Sequence, residues 1–119
     1  MNNIEQSLDQ LMAITGAMGC CIVDYDSGMV LGQQGGGVDL DLAAAGNSEV
    51  IKAKLKTIQS LGIEGDIEDM LITLSNQLHI LRPTSLHSGL FIYLVLDRPN
   101  ANLALARRKV LEIESNIQI

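Results

Sequence analysis

Aromatic residues and cysteines are scarce in this sequence, and each scarcity argues against a class of protein. Aromatic residues make up 3% of the 119 residues, whereas the hydrophobic fraction is 47%. The core must therefore be aliphatic, and a ligand pocket lined with aromatic side chains is disfavoured. The two cysteines, Cys20 and Cys21, are adjacent. Neighbouring side chains on a strand point to opposite faces, so a disulfide between them would be strained, and we expect free thiols in a reducing compartment.

The sequence also has few basic residues, and it contains neither a signal-peptide pattern nor a long apolar run. Eight basic residues stand against 14 acidic ones, for a net charge of -6. This balance disfavours nucleic-acid binding and electrostatic docking on anionic lipid. The N-terminus lacks the basic start and apolar run of a signal peptide. The longest apolar run, residues 90–96, is about a third of a membrane span. We therefore expect a cytoplasmic protein without membrane insertion.

The length predicts a single domain over residues 1–119, large enough to bury a core without a disulfide or a metal. The hydrophobic fraction is high for a small domain, whose surface should be largely polar. We interpret the excess as apolar surface that a partner or a second copy covers.

Helical spacing of apolar residues, together with short apolar or β-branched runs bounded by turn residues, predicts the element order α-β-β-α-β-β-β-α. Helices are expected over residues 4–14, from about 41 to 61, and after 97–100, where Asp97 or Asn100 can cap the helix. Strands are expected over residues 18–24, 29–32, 70–74, 78–82 and 90–96. The last three strands are closely spaced, so they should form an antiparallel meander. The expected fold class is α/β (α+β), with a five-stranded antiparallel sheet and helices packed on it.

Two glycine-containing stretches interrupt this pattern. Residues 33–37, Gln-Gln-Gly-Gly-Gly, predict a flexible connector, because Val38 and Asp39 follow where a phosphate-binding loop would need lysine. Gly46-Asn47 predicts a late start or a bend in the second helix.

The last helix should bury one apolar stripe. Its members recur at spacings of three and four: Leu103, Ala106, Val110, Ile113 and Ile117. Glu114 falls off this stripe and is expected to be solvated, as are the neighbouring charged residues.

No set of residues predicts catalysis, a cofactor or a metal. His79 and His87 have no metal-ligand spacing with the cysteines, which are interpreted as core residues. The acidic residues of segment 64–69 lack the alternation and closing glutamate of a calcium loop. The sequence therefore predicts that this protein is not an enzyme.

Two stretches resemble the Roadblock/dynein light-chain family. Residues 16–28, GAMGCCIVDYDSG, resemble its first hairpin, in which a small-residue strand ends in aspartate and a glycine turn. Residues 94–107, LVLDRPNANLALAR, resemble its last strand and final helix, and the ANLALAR stretch is the more specific signal. The predicted element order is also that of the family, whose fold is profilin-like.

The resemblance implies a non-catalytic interaction module that forms a homodimer or heterodimer through its second helices and middle strands. It also implies a Ras-like small GTPase as partner, which the module regulates or scaffolds. Some family members accelerate GTP hydrolysis without supplying an arginine finger. The alternatives are a small-ligand sensory domain, a motor-associated adaptor, and a hydrolase or thiol enzyme.

The dimer interpretation singles out the apolar residues of the second helix and the third strand. The predicted dimer or partner interface consists of Val50, Ile51, Leu55, Ile58, Ile67, Met70 and Ile72. Some of these must point into the protomer core instead, and the sequence alone does not divide them.

Overall fold

The computed structural model describes residues 2–119 and places helices on both faces of one antiparallel sheet. The helices are α1 (Ile4–Met12), α2 (Leu40–Leu61) and α3 (Leu103–Ser115). The strands are β1 (Ala17–Asp24), β2 (Met29–Gly35), β3 (Met70–Thr73), β4 (Gln77–Pro83) and β5 (Leu90–Asp97). The five strands lie in the spatial order β2-β1-β5-β4-β3, and every neighbouring pair is antiparallel. The predicted fold class, element order and meander are confirmed.

Successive side chains along the strands point to opposite faces of the sheet, and they form a separate hydrophobic core on each face. On one face, hereafter the α1/α3 face, Cys20 and Ile22 pack with residues of α1 and α3. On the other face, hereafter the α2 face, Cys21 and Val23 pack with Ala44 and Ile51 of α2. Strands β1 and β5 are buried on both faces, which explains why their sequences are apolar without alternation.

Residues 33–37 were predicted to form a flexible connector, and this prediction is wrong for residues 33–35, which belong to β2. Gln33 and Gln34 continue β2 and pair with Cys21 and Cys20, and Gly35 pairs with Gly19. The chain passes so close here that a Cβ on Gly19 would lie 2.1 Å from the carbonyl oxygen of Gly36. The glycines therefore permit close backbone approach.

The predicted late start of α2 at Gly46-Asn47 is wrong, because the helix begins at Leu40 and continues through both residues. The Asp39 side chain caps the helix by accepting from the Leu42 N–H, and Gly62 ends it at a φ of +69°. Ala44 and Ile51 are buried on either side of the glycine, and this packing outweighs a propensity cost of about 1 kcal/mol.

The start of the last helix and one of its faces differ from prediction. A short 3-10 turn occupies Arg98–Asn100, and Asn102 caps α3 by accepting from the Leu105 N–H. Glu114, expected in solvent, is 1% exposed. Its two carboxylate oxygens pair with Arg82 Nε at 3.2 Å and Ser85 Oγ at 2.9 Å, so its buried charge is compensated.

Candidate functional site: the α2 and β3 surface

The free edge of β3 lacks the charges, the proline and the bulge that commonly protect sheet edges. Its residues, Met-Leu-Ile-Thr, include no charge and no proline, and its register with β4 has no bulge. The Leu74 N–H donates to the Gln77 carbonyl across the turn. The alternation of an antiparallel pair then points the N–H groups of Leu71 and Thr73 away from β4. Such an edge is a template for pairing with another strand.

The opposite edge, formed by β2, is irregular. Ile22 of β1 pairs with Gly32, whereas the next residue, Val23, pairs with Val30, so Leu31 is an extra residue in a bulge. The strand ends at Gly35 with a φ of +74°, in the left-handed region. A bulge and a left-handed residue interrupt the row of hydrogen-bonding groups, which disfavours a further strand at this edge.

One face of α2 presents small residues to solvent. They recur at alternating spacings of three and four, and we call them the α2 outer stripe: Ala43, Gly46, Val50, Ala53 and Thr57. All are exposed except Ala43, which is half-buried. The Thr57 hydroxyl already donates to the Ala53 carbonyl at 2.9 Å, so its polar group is satisfied within the helix. The spacing is that of a helix–helix seam, and small side chains allow close approach.

Gly46 has no structural role within the protomer. A Cβ added at this position would meet nothing within 4 Å, and its backbone is helical. By contrast, a Cβ on Gly32 would lie 2.8 Å from side-chain atoms of Ile4 and Leu8. A glycine inside a helix costs about 1 kcal/mol relative to alanine. Within the protomer no close contact at position 46 requires glycine in place of alanine.

Exposed apolar side chains are frequent on α2, on β3 and on the residues next to them. Of the twelve large ones exposed within residues 2–119, six belong to α2, to β3 or to the residues next to them: Leu42, Val50, Leu61, Ile63, Leu71 and Leu74. The region therefore contains much of the apolar excess that the composition indicates.

The seven residues predicted for the interface differ in their exposure to solvent. Val50 is 43% exposed and Ile51 is fully buried in the core of the α2 face. Ile51 therefore belongs to the protomer core. The other five are half-buried: Leu55, Ile58, Ile67, Met70 and Ile72.

A polar network that no sequence pattern indicated lies beside β3 on the α2 face. The Gln77 amide nitrogen donates to the Gly37 carbonyl, so its Oε1 faces His79 and accepts from Nε2 at 2.8 Å. His79 Nδ1 then accepts from the Tyr93 hydroxyl at 3.0 Å, which fixes a neutral tautomer. Burial lowers the pKa of His79 and raises the pKa of Tyr93 to about 12.

The cysteines are unsuited to nucleophilic chemistry. Both thiols are free and buried, Cys20 on the α1/α3 face and Cys21 on the α2 face. Burial raises the pKa of Cys20 to about 11 and that of Cys21 to about 12. Both are therefore protonated at neutral pH, and the thiolate is the nucleophilic form. Their predicted role as core residues is confirmed.

Three of the four arginines are held by intramolecular contacts. Arg82 pairs with Glu114, Arg98 donates to the Leu74 carbonyl, and Arg107 pairs with Asp69. Arg108 is exposed on α3 and makes no ion pair with any residue in the described range 2–119.

A cleft of about 440 Å³ lies between α1 and α3. Ile14 and Ile113 form its floor, and no aromatic side chain lines it. Among residues 2–119 no group of three His, Cys, Asp or Glu side chains is arranged to hold a metal ion. Within the same range no helix combines the length and the apolar character needed to cross a membrane.

The sequence matches no protein-family model, and no curated protein matches it. Solved structures do match it. A Roadblock/LC7 domain from Streptomyces avermitilis has a TM-score of 0.80 at 17% identity, over 95% of this chain and 92% of that chain. Myxococcus xanthus MglB has a TM-score of 0.82 at 15% identity, over 94% and 89%.

The gliding protein MglB from Thermus thermophilus has a TM-score of 0.72 at 18% identity, over 94% of this chain and 88% of that chain. At such identities the likeness shows the fold alone. The chain therefore has the fold of the Roadblock/LC7 domains, as the resemblance of residues 16–28 and 94–107 implied.

Proposed function

We propose that this chain is a dimeric interaction module and that the dimer regulates or scaffolds a Ras-like small GTPase. The observation that carries the first half is the contrast between the two sheet edges. The β2 edge is interrupted by the bulge at Leu31, whereas the β3 edge is regular, uncharged and free of proline. Natural proteins protect or cover regular edges of this kind. We therefore expect the β3 edge to pair with a strand of a partner.

A second copy of the chain is the partner that fits this surface. The α2 outer stripe is self-complementary, because small residues on both helices allow two helices to approach closely. Gly46 then has a role that it lacks in the isolated protomer, where its Cβ position is open. A twofold pair also brings like faces together, so the same patch serves both copies.

Lysines on α2 offset part of the repulsion between two acidic copies. Each copy carries a net charge of -6, so two copies repel each other at low salt. Three of the four lysines, Lys52, Lys54 and Lys56, lie on α2. Lys54 and Lys56 flank the outer stripe on its two sides, and they lower the local negative potential where the copies meet.

The GTPase half of the proposal rests on the family resemblance and on the shared fold. MglB and MglC structures are among the structural neighbours, and one of them is described as MglB with a tetrameric arrangement. For this chain we propose that the dimer binds the GTPase without contributing a catalytic side chain. It would act by ordering groups that the GTPase itself supplies.

The dimer is tested by blocking the β3 edge. Thr73→Pro removes an N–H that points away from β4, so the β4 ladder is kept while strand addition is prevented. Thr73→Ala is the matched control. Sedimentation equilibrium should give a dimer for wild type and Thr73→Ala, and a folded monomer for Thr73→Pro. A wild type that stays monomeric at about 100 μM, well above typical dissociation constants, would contradict the proposal.

The partner is tested with Ras-like GTPases from the same genome, beginning with any encoded next to this chain. The dimer should bind one of them and alter its GTP hydrolysis or its retention of nucleotide, and Thr73→Pro should bind more weakly. A dimer that binds none of them in either nucleotide state would reject the GTPase role. An adaptor for a motor would then be the better interpretation.

A further inference from the structure

Two arginines hold the ends of β3 from outside the strand. Before the strand, Arg107 of α3 makes a bidentate ion pair with Asp69: Nε lies 2.7 Å from Oδ2 and Nη2 lies 3.0 Å from Oδ1. After the strand, Arg98 Nη1 donates to the carbonyl oxygen of Leu74 at 2.9 Å. The residues directly before and after β3 are therefore both tethered.

Apart from these tethers, β3 is held by its ladder with β4 and by the packing of Met70 and Ile72 on the α2 face. The strand has four residues and one neighbouring strand, and segment 63–69 before it contains neither helix nor strand. Its side chains on the α1/α3 face, Leu71 and Thr73, are exposed. A short edge strand with little burial belongs to the part of a fold that opens most easily. The tethers therefore fix the two ends of a strand whose remaining contacts lie along one edge and on one face.

The geometry of the Arg107–Asp69 ion pair is suited to holding the start of β3 in place. The Asp69 side chain is 12% exposed, whereas that of Arg107 is 52% exposed. The carboxylate is therefore largely shielded from solvent, and the guanidinium of α3 lies against it in two-point geometry. Bidentate pairs define orientation as well as proximity, which a single contact does not.

We infer that Arg107, acting through Asp69, is a positioning residue that orders β3 for pairing with a second copy. The pairing step rests on the proposed dimer, whereas the ordering step concerns one protomer. The apparent affinity of a site falls with the fraction of molecules in its competent conformation. Loss of the tether should therefore weaken association while leaving the two cores intact.

The experiment compares Arg107→Ala with Arg108→Ala. The two substitutions remove the same charge from neighbouring exposed positions of α3, and only Arg107 pairs with Asp69. Hydrogen exchange of the β3 amides is measured on dilute protein, below the dimer dissociation constant, and the dissociation constant is measured by sedimentation. Urea unfolding of all variants reports global stability.

Arg107→Ala should raise the dissociation constant about fivefold and speed β3 exchange by a similar factor, with its urea midpoint close to that of Arg108→Ala. Arg108→Ala should behave as wild type. Arg107→Lys keeps the charge without the two-point geometry. Its dissociation constant and β3 exchange rate should therefore lie between those of Arg107→Ala and those of the wild type. The double reversal Arg107→Asp with Asp69→Arg should restore part of the protection.

Equal β3 exchange in Arg107→Ala and Arg108→Ala would overturn the ordering role. Faster exchange with an unchanged dissociation constant would overturn the link to pairing. A monomeric wild type would instead reject the proposed dimer, and with it the pairing step. The exchange comparison would in that case still decide whether Arg107 orders β3.

Discussion

Ile72 of β3 and His79 of β4 lie directly opposite each other, and both project on the α2 face. The imidazole is hydrogen-bonded at both nitrogens, to Gln77 and to Tyr93. Its hydrogen-bond partners include no carboxylate, and burial alone accounts for its lowered pKa. A positive charge on His79 would therefore arise beside the half-buried side chain of Ile72 without compensation.

Stability should fall at acidic pH through His79. Its pKa is lowered in the folded protein, so the unfolded chain takes up the proton first as the pH drops. This contribution is complete above the unfolded value of about 6.5 and is lost as the pH falls through the folded pKa. Urea unfolding between about pH 5 and 8 should show wild type losing stability relative to His79→Gln. Parallel pH profiles of the two proteins would contradict this assignment.

Gly46→Ala should have opposite effects on folding and on association. It should stabilise the protomer by about 1 kcal/mol, because alanine favours the helix and its Cβ has open space. It should also raise the dimer dissociation constant about tenfold, because a methyl group would overpack a close helix–helix contact. Urea unfolding of dilute protein and sedimentation separate the two effects. Gln59→Ala, at an exposed position of α2 away from the stripe, should leave the dimer dissociation constant unchanged.

Glu114→Ala should be strongly destabilising. The carboxylate is buried and pairs with Arg82, whose side chain is 12% exposed. Its removal leaves a nearly buried guanidinium without its partner, at a cost of about 3 kcal/mol. Glu112→Ala on the same helix removes an exposed carboxylate 3.9 Å from Lys109 and should change stability by less than about 0.5 kcal/mol. Similar urea midpoints for the two variants would refute the role of the buried pair.

No single arginine should be essential for any effect on a GTPase. An inserted arginine finger contributes about a thousandfold or more in rate. Arg82, Arg98 and Arg107 all have partners within the protomer, and Arg108 lies on a regular helix instead of a loop. Each arginine-to-alanine variant that still dimerises should keep stimulation within about tenfold of wild type. A thousandfold loss in one variant with intact binding would identify a finger.

The sequence was sufficient for the element order because the helices have a clear hydrophobic period and the strands are short apolar runs bounded by turn residues. It was insufficient where tertiary contacts overrule local preference. Gly46-Asn47 does not break α2, because Ala44 and Ile51 anchor the helix on both sides. Gln33 and Gln34 extend β2, because β1 supplies hydrogen-bonding partners that local composition does not reveal.

The candidate surface was only partly predictable for a related reason. Helical periodicity grouped Val50 with Ile51, although the two point in different directions and only Ile51 is buried. The alternating spacing of small residues from Ala43 to Thr57 was present in the sequence and would have identified the outer stripe. The Arg107–Asp69 pair was not detectable, because it joins residues far apart in the chain through the packing of α3.

The irregular β2 edge has a consequence for how large an assembly can become. A sheet whose two edges can both pair with another copy adds copies without limit and so forms a fibre. In the proposed dimer, the bulge at Leu31 leaves one edge open to pairing in each copy, and a twofold pair uses both of these edges. Growth then stops at a closed particle of two, so the irregular strand acts as a chain terminator for polymerisation.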